Sequence, residues 1–251
     1  AEALRGAQAL GYAEADPTAD VEGYDAMYKL SILASKAFHA RLPIEHVYRE
    51  GISRITKQDI QYAADFGRVI KLLAIAKRRG DDVELRVHPT MIPLSHPLAN
   101  VLDSFNAILM NGSAVGDVMF YGQGAGSLPT ASAVLSDVIY AAHVEKPRYA
   151  TFENRMGFVS PILHFEQNWV CPFYIRLTLL NVPGALAQVT KQMGDCGISI
   201  LSAIQKDARE DEATIVFQTY PAEEQALQRA VAGFQEMQVV KEVGAVIRME
   251  D

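Results

Sequence analysis

The stretch from Trp169 to the end of the chain has the pattern that most restricts the fold. FYIRLTLL and ISILSAIQ are typical of strands, and ALAQVTKQMGDCG between them has the spacing of apolar residues that a helix requires. After the charged turn KDAREDE come a strand, ATIVFQTY, a helix, AEEQALQRAVAGFQEM, and a last strand, VVKEVGAVIRM. The order βαββαβ predicts a split, ferredoxin-like unit.

The preceding part of the chain predicts a mixed sheet with helices on one face. VIKLLAIAKR and DVELRVHPTMI are strand patterns joined by a turn at 79–82, and AILMNGSAVGDVMFYG predicts two more strands around Asn111 and Gly112. IEHVYREGISRI is typical of extended chain, and Pro97 predicts the start of a helix over PLANVLDSF. The predicted fold class is therefore α+β or α/β, with the ferredoxin-like unit following the mixed sheet.

Length and composition indicate two domains. With 251 residues, of which 49% are hydrophobic, the chain can bury a substantial core. Between the two patterned parts, periodicity is lost around EKPRYATFENRMGF, which indicates a linker or an exposed hairpin. We predict a first domain at 1–148, a linker at 149–168 and a second domain at 169–251.

Charge and cysteine content narrow the function classes. The formal net charge of −7, with no basic run longer than 77–79, argues against a nucleic-acid or membrane partner. Two cysteines are too few for a disulfide framework, which favours a reduced, cytoplasmic setting. No apolar run approaches the roughly 20 residues of a membrane span.

The segment from Ala7 to Lys29 combines an acidic loop with the start of an apolar helix. Asp25 is predicted to cap that helix, and Lys29, four residues later, lies on the same helical face. Leu30, Ile32, Leu33 and Phe38 are predicted to form its buried stripe. A second helix is predicted from its N-cap, Thr56, to the terminating Gly67.

This acidic segment has a purely structural interpretation and a functional one. Its carboxylates, Glu14, Asp16, Asp20 and Asp25, are compatible with a solvated loop or with a metal site. No Asp-x-Asp-x-Asp-Gly pattern or nearby histidine supports a metal, and none of the six histidines of the chain has metal-ligand spacing. In the functional interpretation, carboxylates hold a substrate ammonium while Lys29 donates a proton to a carbonyl that is being reduced.

A glycine cluster, Gly122-Gln-Gly124-Ala-Gly126, lies between a strand pattern and a helix pattern with Pro129 in its first turn. A glycine turn before a helix N-terminus is a geometry that binds phosphate groups. The cluster fulfils neither the G-x-G-x-x-G nor the P-loop motif, so a purely structural turn is the alternative.

The chain resembles the homoserine dehydrogenase family. The residues that carry the resemblance are A-x-x-x-G-Y from Ala7 and D-P-x-x-D-V-x-G-x-D-x-x-x-K from Asp16 to Lys29, followed by HPTMIPLSHPLANV and YGQGAGSLPTASAV. The C-terminal unit, with its turn Asn181-Val-Pro-Gly184 and its strand GISILSAIQ, is similar to the ACT regulatory domain of many members. Together the two resemblances span nearly the entire chain.

The resemblance implies a reaction and roles for individual residues. The family interconverts homoserine and aspartate 4-semialdehyde with NADP or NAD. Lys29 would be the proton donor, and Asp25 would hold the substrate and orient Lys29. Asp20 would support the pocket, and Glu14 would bind the substrate amino group near the cofactor. The cofactor would also be approached by Gly11 and Gly126.

For the C-terminal unit, the resemblance implies a regulatory site and a homo-oligomer that is at least a dimer. A threonine-type amino acid would bind at Asn181, Val182, Pro183, Gly184 and Ala185, with Gln205 nearby. The position that is usually acidic in such turns is Asn181 here, so the effector can differ. A ligand-free dimerisation module is the alternative.

Family members begin with a Rossmann domain that has the dinucleotide fingerprint, and no such unit precedes Ala1. We expect the chain to be a truncated product without dehydrogenase activity of its own. A second catalytic lysine and a sodium-binding loop would also belong to the absent part. Two rival hypotheses are a stand-alone amino-acid-sensing or interaction protein and a related amino-acid dehydrogenase with another substrate.

Overall fold

The computed structural model describes residues 2–9, 15–143, 162–208 and 211–251. The helices are α1 (Glu2–Ala9), α2 (Thr18–Val21), α3 (Tyr24–Phe38), α4 (Lys57–Asp65), α5 (Ser127–His143), α6 (Ala185–Asp195) and α7 (Glu224–Glu236). The strands are β1 (Tyr48–Arg49), β2 (Arg68–Arg79), β3 (Asp82–Pro93), β4 (Phe105–Gly112), β5 (Gly116–Gln123), β6 (His164–Glu166), β7 (Val170–Cys171), β8 (Phe173–Leu180), β9 (Ile200–Ala208), β10 (Glu212–Thr219), β11 (Ala222–Glu223) and β12 (Val240–Met249). Two short 3-10 helices lie at Ile44–His46 and Pro97–Asn100.

The main sheet is mixed and has eight strands. Its central order is β1-β3-β12-β8-β10-β9, and both β2 and β6 also pair with β3. The pairs of β3 with β1, β6 and β12 are parallel, whereas the long β2–β3 hairpin is antiparallel. The predicted mixed α+β architecture is therefore confirmed.

The C-terminal part has the predicted element order. Strands β8, β9, β10 and β12 lie in the order β12-β8-β10-β9, with each neighbouring pair antiparallel. Helices α6 and α7 cover one face, where Val189, Leu227 and Phe234 pack in a core with Phe173 and Ile175. Alternation along β8 places these two strand residues on the helix-covered face because successive side chains point to opposite sides.

Helix α4 covers the opposite face of β8. Its Tyr62 and Ala63 pack against Tyr174, Val216 and Ile247. The helix begins with the predicted N-cap, since Thr56 accepts a hydrogen bond from the Asp59 amide and the Asp59 carboxylate accepts one from the Thr56 amide. This capping box satisfies two amides that would otherwise lack helical partners.

Helix α3 packs on β3 through a face that differs from the predicted stripe. Met27, Leu30 and Ala34 contact the core that contains Val83, Leu85 and Val87. Ile32 and Leu33 remain 57% and 42% exposed, so their predicted burial is wrong. The spacing i, i+3, i+7 starting from Met27 defines the buried side, and two residues in the predicted stripe lie off it.

The two parts of the chain share one sheet. Near the C-terminus, β12 pairs in parallel with β3, with Arg248 opposite Thr90 and Met249 opposite Met91. Ion pairs across this junction join Arg248 to Glu50, Asp59 to Arg176, Arg86 and Lys77 to Glu250, Arg68 to Asp251, and Asp65 to Lys206. The described residues on either side of the predicted linker therefore form one hydrogen-bonded and charge-paired structure, whereas residues 149–161 of that linker lie outside the described residues.

The hairpin β4–β5 forms a separate two-stranded sheet, with Gly112 opposite Gly116. The helix predicted over PLANVLDSF is wrong beyond its first turn, because only Pro97–Asn100 is helical and Asp103 has a positive φ of 55°. The extended prediction for IEHVYREGISRI holds only at β1, since its first three residues form a 3-10 turn.

The hairpin and α5 expose many large apolar side chains. Phe120, Leu128 and Tyr140 are 59%, 81% and 59% exposed. Within the described ranges, no helix combines the length and apolar character needed to cross a membrane.

Candidate functional site

The candidate site is built on the junction between α2 and α3. Gly23 connects the two helices with a φ of 77° and occupies the N-cap of α3, with no side-chain cap. The predicted capping role of Asp25 is therefore wrong, because the helix begins before it. A Cβ at Gly23 would lie 3.1 Å from Val87 Cγ1, so both the conformation and the contact favour glycine.

Asp25 and Lys29 form the ion pair that their spacing predicts. The Lys29 Nζ lies 2.6 Å from the Asp25 Oδ2, one helical turn away, and both side chains are about half exposed at 55% and 47%. An exposed ion pair contributes little to stability. The contact does fix the position of the Lys29 ammonium group relative to the Asp25 carboxylate.

The other predicted acidic residues occupy different settings. Asp20 is exposed on α2. Asp16 accepts hydrogen bonds from the Thr18 hydroxyl and amide, which lower the pKa of its carboxyl below the usual value and anchor the start of α2. Gly11 and Glu14, predicted to approach the cofactor and substrate, lie outside the described residues.

The segment from Arg49 to Ile52 contacts the α2–α3 junction. No sequence motif marks this segment as functional. The Ile52 amide donates to the Val21 carbonyl at 2.8 Å, and the Arg49 guanidinium donates to the Glu22 carbonyl. Gly51 lies so close to the junction that a Cβ there would sit 2.6 Å from the Val21 oxygen and 2.7 Å from Glu22 Cα.

Replacing Gly51 with alanine is expected to destabilise the protein by about 1–3 kcal/mol, the usual cost of forced overpacking. The added methyl meets backbone atoms, which cannot rotate away as a flexible side chain could. Denaturant unfolding measures the change, and Gly194→Ala is the control because a Cβ at Gly194 meets nothing within 4 Å. A Gly51→Ala protein as stable as its parent would contradict the close packing.

Gly126, the other predicted cofactor residue, lies at the start of α5. Its φ is 122°, a conformation that side-chain-bearing residues rarely adopt. A groove of about 650 Å³ is lined by α5 residues between Gly126 and Val138. Amides at a helix N-terminus can bind a phosphate group, and the first turn of α5 has those of Ser127 and Leu128, whereas Pro129 has none. The groove is open and is built by this single helix, whereas Asp25 and Lys29 lie on α3.

The predicted effector residues fall in two places. The run from Asn181 to Ala185 joins β8 to α6, and Gly184 begins the helix with a φ of 85°. Gln205 lies on β9 at the level of Leu177, because both are in register with Ile215. Standard strand dimensions place Gln205 about 10 Å across the sheet and about 13 Å along it from Asn181. A single copy therefore does not bring Gln205 to the turn.

The described part of the chain contains no group of three or more histidine, cysteine, aspartate or glutamate residues arranged to hold a metal. His88 is buried beside the Thr90 hydroxyl, and burial together with the positive charges of Arg248 and Arg86 lowers its pKa well below the usual value. It is a neutral core histidine.

These elements define a mixed-sheet protein with a carboxylate–lysine pair at a loop-to-helix junction. A sequence profile of the homoserine dehydrogenase family matches residues 1–139. The chain is similar to homoserine dehydrogenases of Corynebacterium glutamicum, at 44% identity over 100% of this chain and 57% of that protein, and of Pseudomonas aeruginosa, at 41% identity over 98% and 58%.

Solved structures agree with the sequence comparison. The homoserine dehydrogenase of Thiobacillus denitrificans superposes with a TM-score of 0.86 at 41% identity, over 100% of this chain and 58% of that one. The Staphylococcus aureus enzyme superposes with a TM-score of 0.68 at 31% identity, over 99% and 57%. The chain belongs to the homoserine dehydrogenase family, and it spans less than two thirds of the length of these relatives.

Proposed function

We propose that this chain provides the substrate side of an NAD(P)-dependent homoserine dehydrogenase, which interconverts L-homoserine and L-aspartate 4-semialdehyde in the biosynthesis of threonine, methionine and isoleucine. The observation that carries the proposal is the 2.6 Å contact between Asp25 and Lys29 at the α2–α3 junction, within the segment that carries the family motif. Homoserine-dependent reduction of NADP or NAD by the natural polypeptide that carries this sequence tests the proposal.

In the proposed mechanism, a bound nicotinamide cofactor would supply the hydride chemistry at the substrate carbon, and the residues of this chain would handle the proton and the binding. The Lys29 Nζ donates a proton to the aldehyde oxygen during reduction and accepts it back during oxidation. The Asp25 carboxylate holds Lys29 in place and attracts the substrate ammonium, while Asp20 supports the pocket. Glu14 is assigned to the substrate amino group and the cofactor, and Gly11 to the cofactor.

The N-terminus of α5 is proposed as the part of this chain that approaches the dinucleotide. Gly126 and the amides that follow it would face a phosphate, and the sequence of this chain does not specify NADP over NAD. The exposed apolar surface of the hairpin and α5 supports a larger assembly, which we propose to be a homo-oligomer that is at least a dimer.

We further propose the division into a substrate-binding and dimerisation domain at 1–148, a linker at 149–168 and an ACT regulatory domain at 169–251. The βαββαβ order and the left-handed Gly184 at the β8–α6 turn support the ACT assignment. Because Gln205 is distant from this turn within one copy, an effector site that includes both would be completed by a second copy.

Threonine at millimolar concentration is expected to bind the β8–α6 turn with measurable heat in calorimetry. Gly184→Val should weaken this binding because valine disfavours the left-handed conformation that shapes the turn. Gly80→Val is the matched control, since Gly80 has a similar φ of 65° in the distant β2–β3 turn. Absence of heat with threonine and with other amino acids would favour a ligand-free dimerisation module.

A further inference from the structure

The segment Tyr48–Glu50, here called the bridge segment, lies between the candidate site and the C-terminal part of the chain. Tyr48 and Arg49 form β1, which pairs in parallel with β3, and the Glu50 amide continues this pairing by donating to the Val87 carbonyl at 2.8 Å. Successive side chains of extended chain point to opposite faces. Arg49 therefore points away from both Tyr48 and Glu50.

Arg49 contacts residues on both sides of the α2–α3 junction. Its guanidinium carbon lies 3.7 Å from the centre of the Tyr24 ring, and its Nη1 donates to the Glu22 carbonyl. Glu22 is the C-cap of α2 and Tyr24 begins α3, so the Arg49 side chain contacts the residues on both sides of Gly23. Lys29 and Asp25 lie on the helix that starts at this turn.

Tyr48 and Glu50 contact Arg248 on the other side of the bridge segment. Arg248 is 1% exposed and lies on β12. It donates to the Tyr48 hydroxyl at 2.8 Å and to Glu50, and Tyr48 in turn donates to Glu50 at 2.9 Å. The remaining donors of Arg248 bind Glu224 at the start of α7, at 2.5 and 3.1 Å.

These contacts form a continuous connection from α7 to the candidate catalytic helix. Glu224 and Arg248 are nearly fully buried, and buried charge pairs of this kind have little freedom to rearrange without losing their partners. The ion pair of Arg68 with Asp251 also joins the two parts, but at the start of β2 and the end of the chain rather than at the α2–α3 junction.

We propose that Arg49 is a positioning residue for Lys29 and that Tyr48 and Glu50 tie this position to Arg248 in the C-terminal part. A displacement of β12 or α7 then moves the bridge segment and, through Arg49, the start of α3. The expected effect on kcat rests on the proposed function. The connection between Arg248 and the start of α3 can be measured without catalysis.

Amide hydrogen exchange on the natural polypeptide that carries this sequence tests the connection. Arg49→Met is expected to speed exchange of the amides at 21–27 about tenfold, as the loss of a hydrogen bond from a charged donor would. Arg49→Lys should restore part of the protection because it keeps a donor and a cation over Tyr24. Arg68→Met is the control, because it breaks a connection between the two parts that leaves the junction untouched.

The second connection is tested with the double variant Tyr48→Phe/Glu50→Gln, which removes both the hydroxyl and the negative charge that Arg248 contacts and keeps the ring. The double variant should speed amide exchange at 21–27 and leave exchange in α4 unchanged. Unchanged exchange at the junction in Arg49→Met overturns the positioning role, and unchanged exchange at the junction in the double variant overturns the tie to Arg248. Faster exchange in α4 to the same degree would show general destabilisation and would also overturn the proposal.

Kinetics separate this proposal from the proposed function. Arg49→Met should lower kcat for homoserine about tenfold with a smaller change in KM, since a misplaced proton donor affects the transition state more than binding. A parent protein without homoserine-dependent turnover refutes the proposed function, while the exchange data still decide the connection. A normal kcat in Arg49→Met, with an active parent, overturns the catalytic positioning.

Discussion

Lys29→Met is expected to lower kcat for homoserine oxidation by about 10²- to 10⁴-fold, the usual contribution of a positioned acid or base. Methionine has similar length and helix propensity but cannot exchange a proton, so the fold should be kept. Steady-state kinetics with saturating homoserine and either nicotinamide cofactor measure the loss, and thermal unfolding checks that stability is retained.

The matched control for this prediction is Lys36→Met, an exposed lysine in the last turn of the same helix. It should leave kcat near that of the parent. Asp25→Asn should give an intermediate loss because the amide can still accept a hydrogen bond from Lys29 but has no charge. Equal rates for Lys29→Met and Lys36→Met would remove Lys29 from the mechanism.

Asp59→Ala is expected to have the largest effect on stability, about 3–5 kcal/mol, because it leaves a buried charge without its partner. The Asp59 side chain is 0% exposed and accepts hydrogen bonds from Arg176 at 2.7 Å and Tyr174 at 3.1 Å. The same carboxylate completes the capping box of α4. Denaturant unfolding at neutral pH measures the loss.

The pH dependence provides an independent check of this ion pair. Burial raises the pKa of Asp59, but hydrogen bonds from Arg176 and Thr56 outweigh burial and leave the pKa below its usual value. A depressed folded-state pKa means that the stabilisation is fully present above the unfolded pKa of about 3.9 and is lost as the pH falls through the folded-state value. The difference between the parent and Asp59→Ala should therefore shrink in acid.

Asp65→Ala is the control on the same helix, because its ion pair with Lys206 is more exposed. Asp65→Ala should lower the free energy of unfolding far less than Asp59→Ala does at neutral pH. Equal losses for the two variants would show that the buried pair with Arg176 has no special role in joining α4 to β8.

Sequence patterns correctly predict the features that depend on residues close together in the chain. The N-cap at Thr56, the β2–β3 hairpin and the pairing of Asp25 with Lys29 all depend on residues a few positions apart, and the structure has each of them. The βαββαβ order was also readable, because alternation and helical spacing change sharply at the turns of the C-terminal part.

Features that depend on distant residues could not be predicted in this way. Asp25 does not cap α3, because the N-cap position belongs to Gly23, whose left-handed backbone and closeness to Val87 have no local sequence signal. The parallel pairing of β3 with β12 and the contact of Arg248 with Glu50 join residues far apart in the chain. Arg49 was missed because it lies in a short extended stretch with no motif, and its importance comes from what it contacts.

The assignment of individual residues to catalysis depended on the family resemblance as well as on chemistry. An acidic loop next to a lysine is also typical of a solvated surface, so the family motif, together with the ion pair of Asp25 and Lys29, is what assigns this pair to catalysis.

The most direct test is the initial rate of homoserine-dependent reduction of NADP or NAD by the natural polypeptide that carries this sequence. We predict a rate that rises with homoserine to saturation and falls at least about a hundredfold in Lys29→Met. A parent protein that reduces neither cofactor in the presence of homoserine, although folded, would contradict the proposed function.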